Sequence, residues 1–155
     1  MTNAAASTNP ANCNLLAVRQ AARTITQFYD RYLAAAGLRA TQYGILARLK
    51  HKGPLSINAL AAELVLDRTT LGRNIRPLER DGLIAIKPDP ADGRSKVVNL
   101  TPVGETQFQR AYESWREAQK DFEATYGREQ AAELREKLRA IVSSDLDPVD
   151  ISSAP

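Results

Sequence analysis

Guanidinium, hydroxyl and amide side chains are concentrated on one side of the segment 67–82. Leu71, Ile75 and Leu78 lie four and three positions apart in it, which predicts a helix with one apolar face to bury. Asp67 is a good N-cap residue, and Gly82 is placed to end the helix. The other side of the helix then holds Arg68, Thr69, Arg73, Asn74, Arg76 and Arg80. Because such groups donate to phosphates and hydrogen-bond to base edges, the chemistry offered here is nucleic-acid binding.

Neighbouring elements would position this helix. Ser56 can cap a short helix that ends a few residues before Asp67 with no Gly or Pro between them, as in a helix-turn-helix. Two strand-like segments follow, 83–87 and 96–100, and turn-forming residues that end in Arg94 join them. A helix pair followed by a strand, a basic turn and a second strand is the order of a winged helix.

A charged helix surface also has a simpler explanation, since charge runs usually mark a solvated face. The basic hairpin that follows the helix favours nucleic-acid binding over that explanation. The residues expected to contact bases in the major groove are Thr69, Thr70, Arg73 and Asn74. Arg68 and Arg76 are expected to contact phosphates.

Three stretches make the pattern specific: "DRTTLGRNIRPLERDGLI", the Asp-Gly-Arg of the hairpin, and "VNLTPVG" directly after it. With them the chain resembles the multiple-antibiotic-resistance-regulator (MarR) family of bacterial transcription factors, from about Cys13 to the helices after Trp115. The resemblance implies a mainly α fold with a small β-hairpin wing, in which dimerisation helices at both ends flank a winged helix-turn-helix. It also implies that Arg94 enters the minor groove and that Asp92 orients its guanidinium.

Charge is distributed unevenly along the 155 residues, whose net charge is +3. Residues 39–100 hold eleven basic and six acidic side chains, a net +5, whereas residues 101–155 hold seven and eleven, a net −4. An anionic partner such as double-stranded DNA would therefore meet the middle of the chain.

Several classes of protein are disfavoured. One His, one Cys and no glycine-rich phosphate loop argue against an enzyme, a metal site or a cofactor. The hairpin acids Asp89 and Asp92 lack the alternating ligands and terminal Glu of a calcium loop. A single cysteine, no long apolar run and no signal-like N-terminus lead us to expect a cytoplasmic protein without membrane contact.

The helices at the two ends carry apolar seams, over residues 15–36, 108–126 and 131–141, which one small winged domain cannot bury. We therefore expect a homodimer with a pseudo-palindromic operator, its recognition helices about 34–36 Å apart. The expected organisation is a flexible arm (1–12), dimerisation helices (13–37 and 102–143), the winged helix-turn-helix (38–101) and a flexible tail (144–155).

Relatives of this family commonly bind small aromatic carboxylates or phenols between the dimer helices and the winged domain, which loosens their hold on DNA. Six residues are the candidates for such a pocket: Arg19, Arg23, Tyr29, Tyr43, Tyr112 and Trp115. Aromatic residues at helical spacing are also typical of a core, so that alternative stays open.

A thiol sensor is the second alternative. Cys13 begins the first helix, where the helix dipole can lower the pKa of a thiol. Peroxide-sensing relatives have their reactive cysteine near the same point, about two residues closer to Arg23. The sequence thus predicts a dimeric DNA-binding regulator, a repressor released by a small aromatic acid or phenol. The alternatives are redox sensing through Cys13 and a winged interaction module without DNA binding.

Overall fold

The computed structural model describes residues 9–144 and 146, and most of them are helical. The helices are α1 (Asn14–Leu33), α2 (Ala40–Lys52), α3 (Ile57–Glu63), α4 (Arg68–Arg80), α5 (Pro102–Tyr126) and α6 (Arg128–Ser143). Short 3-10 turns cover Pro10–Asn12 and Ala34–Ala36, and the strands are β1 (Leu55–Ser56), β2 (Ile84–Pro88) and β3 (Lys96–Leu100). A mainly α fold with a small β wing is confirmed. Within the described ranges, no helix has the length and apolar character needed to cross a membrane.

Two compact units make up the chain, one ending at Ala118 and the other beginning at Gln119, within α5. The domain boundaries expected from the sequence therefore remain predictions. Most of the expected arm and tail lies outside the described residues. Of the arm, only residues 9–12 are described and they include a 3-10 turn; of the tail, only residues 144 and 146 are described.

The core of the first unit lies under α4. Leu71, Ile75 and Leu78 are buried there, which confirms the apolar face expected of this helix. They join side chains from the helices and strands around them: Leu33, Leu38, Ile45, Leu46, Leu49, Leu60, Ile84, Val98 and Phe108. Burial of α4 on this side fixes which of its residues face outward.

The wing is part of a three-stranded antiparallel sheet in the order β1-β3-β2. Val98, which is fully buried, pairs with Ile86 on one side and with Leu55 on the other. The sequence did not predict β1, because a strand of two residues has no detectable periodicity.

The start of α2 is not capped by the nearest residue of a typical N-cap type. Thr41 is of such a type, but the helix begins at Ala40 and Thr41 is exposed within it. The carboxylate of Asp30, in α1, accepts from the Ala40 N–H at 2.6 Å, and Gln42 Oε1 accepts from the Arg39 N–H at 2.9 Å. The capping carboxylate thus comes from a residue ten positions earlier in the chain, which a local sequence pattern cannot predict.

The turn between α3 and α4 is strained at Val65, the only described non-glycine residue with a positive φ, +53°. The N–H of Leu66 donates to the carbonyl of Ala61, and the N–H of Val65 donates to that of Ala62, as in a Schellman motif. A β-branched residue is disfavoured in this left-handed conformation, in which glycine is usual. The helix-turn-helix turn therefore stores strain.

In the second unit, Glu123 links the end of α5 to α6. Its carboxylate lies 3.6 Å from Arg128 and 3.4 Å from Arg135, and Gln119 donates to it at 2.8 Å. Ala131 is buried, whereas three large apolar side chains near the end of α6 are exposed: Leu138, Ile141 and Val142. This helix therefore has an apolar surface that its own unit does not cover.

At Gly104, α5 lies very close to the backbone of the segment that follows α4. Thr101 Oγ1 donates to the carbonyl of Gly82 at 2.6 Å and accepts from the N–H of Gly104 at 2.9 Å. A Cβ on Gly104 would lie 1.9 Å from the carbonyl oxygen of Leu83, a backbone atom. Only glycine fits there.

We expect Gly104→Ala to lower the free energy of unfolding by about 3 kcal/mol or more, because α5 must move away from Leu83. The matched control is Gly72→Ala in α4, where an added Cβ meets nothing within 4 Å. That variant should gain roughly 0.5–1 kcal/mol. Chemical denaturation of both proteins measures the difference, and equal stabilities would contradict the assigned clash.

Candidate nucleic-acid interface

The outward face of α4 carries an exposed basic row. Arg68, Thr69, Arg73 and Arg76 are exposed on it, opposite the buried apolar residues. No carboxylate in the described part of the chain lies within 4 Å of the arginines of this row. Their guanidinium groups are therefore available to an anionic partner.

Thr70 and Asp67 form the N-terminal cap of α4, as the sequence predicted for Asp67. The carboxylate of Asp67 accepts from the Thr70 N–H and from the Thr70 hydroxyl, both at 2.7 Å. The backbone hydrogen bond and then the hydroxyl lower the pKa of Asp67. The cap is therefore intact above the pKa of an unfolded Asp and is lost only as the pH falls through the lowered value. Thr70 uses its hydroxyl proton in the cap, so towards a base it is an acceptor.

Asn74 is placed differently from the arginines. It is half-buried on the flank of α4 and lines a cavity together with Thr41 and Gly44 of α2. The sequence pattern assigned it to the outer face because its side chain is polar, whereas its position in the helix sets it beside the apolar residues.

The structure brings α4 and the wing together around a cleft of about 460 Å³. Its lining residues are Ser56, Ile57, Asn58, Arg68, Arg94, Ser95 and Lys96. Arg68 and Arg94 thus border one concave surface, although 26 positions separate them in the sequence. Asn58 and Lys96 were missed by sequence reasoning, although Lys96 stands beside the basic turn that it did identify.

The hairpin turn is shaped by its acidic residues. Asp92 Oδ1 accepts from the backbone N–H of Arg94 at 3.1 Å, and Asp89 Oδ1 accepts from that of Ala91 at 2.9 Å. Asp92 was expected to orient the Arg94 guanidinium; instead it holds the backbone of the turn. Among the described residues no carboxylate lies within 4 Å of that guanidinium, which is exposed at the wing tip.

Three of the residues assigned to an effector pocket form an aromatic stack. The ring of Tyr43 lies 6.1 Å from that of Trp115, which lies 5.7 Å from Tyr112, and Phe108 is 5.6 Å from Tyr43. Burial, together with Tyr112, raises the pKa of Tyr43 to about 12. Its phenol therefore stays protonated at about pH 10, where an exposed tyrosine is half ionised.

The other candidate residues lie outside this stack. Tyr29 packs against the core, with its ring 5.6 Å from that of Phe28. Arg19 and Arg23 belong to the first half of α1, where every residue is exposed. Cys13 is exposed as well, and its Sγ accepts from the Leu16 N–H at 3.4 Å, which makes it the N-cap of α1.

A helix-turn-helix with a basic wing and an exposed basic face defines the winged helix-turn-helix class. The MarR family model matches residues 38–96, the part of the chain that carries these elements. In sequence, the chain is 31% identical, over 71% of its length, to the transcriptional regulatory protein for the hcr operon of Thauera aromatica. It is 29% identical, over 59% of its length, to the transcriptional repressor IacR of Pseudomonas putida. The chain spans 62% and 55% of the length of these two relatives.

Solved structures agree with the sequence comparison. The MosR regulator of M. tuberculosis in complex with DNA is 35% identical, with a TM-score of 0.70, over 84% of this chain and 98% of that one. BpsR of Bordetella bronchiseptica shares the fold. It is 20% identical to this chain, with a TM-score of 0.79, over 88% of this chain and 98% of that one. This chain belongs to the MarR family. The relatives are regulators of transcription, in agreement with the prediction that the chain is not an enzyme.

Proposed function

We propose that this protein is a homodimeric repressor that binds a pseudo-palindromic DNA operator and is released by a small aromatic acid or phenol. The cleft that joins α4 to the wing carries the proposal, because it sets Arg68 and Arg94 on one surface and no carboxylate among the described residues lies within 4 Å of either guanidinium. The solved DNA complex of MosR and the repressor function of IacR support it by similarity.

The roles assigned to the side chains follow from their positions. Thr69 and Arg73 point outward from the middle of the exposed face and are assigned to base edges, with Thr70 and Asn74 on its flank. Arg68 and Arg76 are assigned to phosphates. Arg94, presented by the turn that Asp92 holds, is assigned to the minor groove, whose negative potential attracts arginine.

We expect Arg94→Ala to weaken DNA binding and to reduce the slope of log affinity against log salt by about 1, with unchanged folding, since the wing tip is exposed. Arg73→Ala should also relax base preference, with a loss of about 1–3 kcal/mol if it makes a bidentate guanine contact. Titration of DNA fragments selected from the source genome measures both effects.

Arg110→Ala is the matched control, because this arginine is exposed on α5, away from the cleft. Its affinity should equal that of the parent. If Arg94→Ala also equals the parent at every salt concentration, the wing has no part in binding. If the parent protein shows no salt-dependent binding to DNA, the alternative of a winged interaction module without DNA binding is favoured.

The dimer is proposed because each of the two units, considered by itself, exposes large apolar side chains. On α1, Leu15, Leu16 and Val18 are exposed, and on α6 Leu138, Ile141 and Val142 are exposed. A second copy can remove this surface from water, which is a favourable free-energy term. The dimerisation helices proposed from the sequence, 13–37 and 102–143, contain all six residues.

Leu138→Asp should raise the dimer dissociation constant by at least about tenfold, because the interface would bury an unpaired carboxylate. Ala140→Asp is the control, since that residue lies on the opposite side of α6 and is exposed. Analytical ultracentrifugation of the parent and the two variants provides the measurement. A parent that is monomeric at micromolar concentration would refute the dimer.

The proposed effector is an aromatic acid or phenol, and BpsR, whose DNA binding is regulated by 6-hydroxynicotinic acid, supports this by shared fold alone. The candidate pocket residues remain Arg19, Arg23, Tyr29, Tyr43, Tyr112 and Trp115. A ligand releases DNA only if it binds the DNA-incompetent arrangement more tightly.

Cys13→Ser separates this proposal from a thiol sensor. Both the parent and the variant should leave the operator fragment in the presence of salicylate or phenol, and neither should respond specifically to an organic hydroperoxide. DNA release is measured by fluorescence anisotropy. If only the parent dissociates under hydroperoxide and neither protein responds to aromatic compounds, Cys13 is the sensor.

A further inference from the structure

Three aspartates on or next to the wing differ in how the next residue can react with them. An aspartate side chain can condense with the backbone nitrogen of the following residue, and glycine favours this reaction because it has no Cβ to block the approach. Asp81 and Asp92 are each followed by glycine, whereas Asp89 is followed by Pro90. The proline nitrogen carries no hydrogen, so Asp89 cannot react in this way.

At Asp81 the reacting groups are occupied. The N–H of Gly82 donates to the carbonyl of Glu79 at 3.0 Å, and the Asp81 carboxylate lies 3.0 Å from Arg80 Nε. Gly82 ends α4 with a φ of +73°, a backbone conformation that belongs to the helix end. Condensation at Asp81 would therefore break both contacts and disturb the end of the recognition helix.

At Asp92 the same groups are available. Asp92 and Gly93 are exposed, and in the described part of the chain the Gly93 N–H donates no hydrogen bond. The bond from the Arg94 N–H to Asp92 Oδ1, 3.1 Å, forms an Asx turn, which folds the carboxyl group back over the Gly93 peptide. Asp89 forms the same kind of turn, with the Ala91 N–H at 2.9 Å, but lacks the reactive nitrogen.

We propose that Asp92 isomerises spontaneously to isoaspartate through a succinimide formed with Gly93. The Gly93 nitrogen bonds to Cγ of the protonated carboxyl group, loses its proton and expels one carboxyl oxygen as water, which closes a ring. A water molecule then adds to the main-chain carbonyl carbon of residue 92 and breaks its bond to the Gly93 nitrogen. The main chain afterwards runs through Cβ and Cγ of residue 92, and the former main-chain carbonyl is a free carboxylate.

The product changes both oxygens that shape the wing turn. The main-chain carbonyl of Asp92 accepts from the Ser95 N–H at 3.0 Å and from the Ser95 hydroxyl at 3.2 Å, while its side chain accepts from the Arg94 N–H. Isomerisation exchanges the roles of these two groups and lengthens the main chain by one methylene. One carboxylate is present before and after the reaction, so the charge is conserved. The change therefore displaces Arg94 from its position beside Arg68.

Gly93→Ala provides a variant that slows the reaction. Gly93 is not among the glycines with a positive φ, and a Cβ added to it meets nothing within 4 Å, so the turn accepts the substitution. The added methyl group hinders the approach of the nitrogen of residue 93 to Cγ of Asp92. This variant retains Asp92 and Arg94, and the parent itself holds two matched controls, Asp81 and Asp89.

The test incubates the full chain in mildly acidic buffer at physiological temperature and then digests it with trypsin. Cleavage after Arg80 and Arg94 places all three aspartates in one peptide, because Lys87 is followed by proline. Electron-transfer mass spectrometry distinguishes isoaspartate from aspartate at each position of this peptide.

We expect isoaspartate to form at residue 92 at least about tenfold faster than at residues 81 and 89, and at least about tenfold faster than in Gly93→Ala. Methyl transfer from labelled S-adenosylmethionine by an isoaspartate methyltransferase should follow the same order. The comparison of the three positions within the parent does not depend on the folding of the variant. No isoaspartate at residue 92, an equal rate at residue 81, or an undiminished rate in Gly93→Ala would overturn the site.

The consequence for DNA binding is measured separately, and only this measurement rests on the proposed function. Incubation should weaken the binding of the parent to its DNA fragment in proportion to the isoaspartate formed, whereas incubated Gly93→Ala should keep the affinity of the fresh variant. If isoaspartate forms at residue 92 without a change in affinity, the displacement of Arg94 is refuted. If the fresh parent binds no DNA, the proposed function fails, while the peptide analysis still decides the modification.

Discussion

Burial of Leu71, Ile75 and Leu78 is the interaction on which the rest of the structure depends. These side chains fix the rotation of α4 about its own axis, because exposing any of them would cost about 1.5–3 kcal/mol. Once that rotation is fixed, the outward positions follow from helical geometry, and Arg73 and Arg76 are set on the solvent side. The core therefore determines which groups can meet a partner.

The contacts of Thr101 and Gly104 with the segment that follows α4 fix the position of α5 relative to that segment. Thr101 binds the carbonyl of Gly82 at 2.6 Å, and the missing Cβ of Gly104 lets α5 approach Leu83. The same segment continues into β2, one edge of the wing. The end of the recognition helix, the start of the wing and the start of α5 thus lie against one another around Leu83 and Gly104.

Periodicity predicted α4, the wing and their order, since burial imposes a repeat that is visible in the sequence. It did not predict the cap that Asp30 gives to α2, the backbone role of Asp92, or the two-residue strand β1. Each of these depends on contacts between segments or on the exact course of a turn. Asn74 shows the same limit, because its residue type suggests a base contact but cannot show that the residue also lines a cavity beside α2.

The exposed face and the flank of the recognition helix, α4, differ in the charge of their side chains. Some cations elsewhere are paired with carboxylates: Lys50 lies 2.6 Å from Glu105, and Lys52 lies 3.4 Å from Glu63. On the outer face of α4, Arg68 and Arg73 have no carboxylate within 4 Å among the described residues, and an anionic partner would relieve their mutual repulsion. The inner flank borders a cavity without ionisable groups. The exposed face of α4 therefore offers cations to a partner, whereas this flank offers only apolar and neutral polar groups.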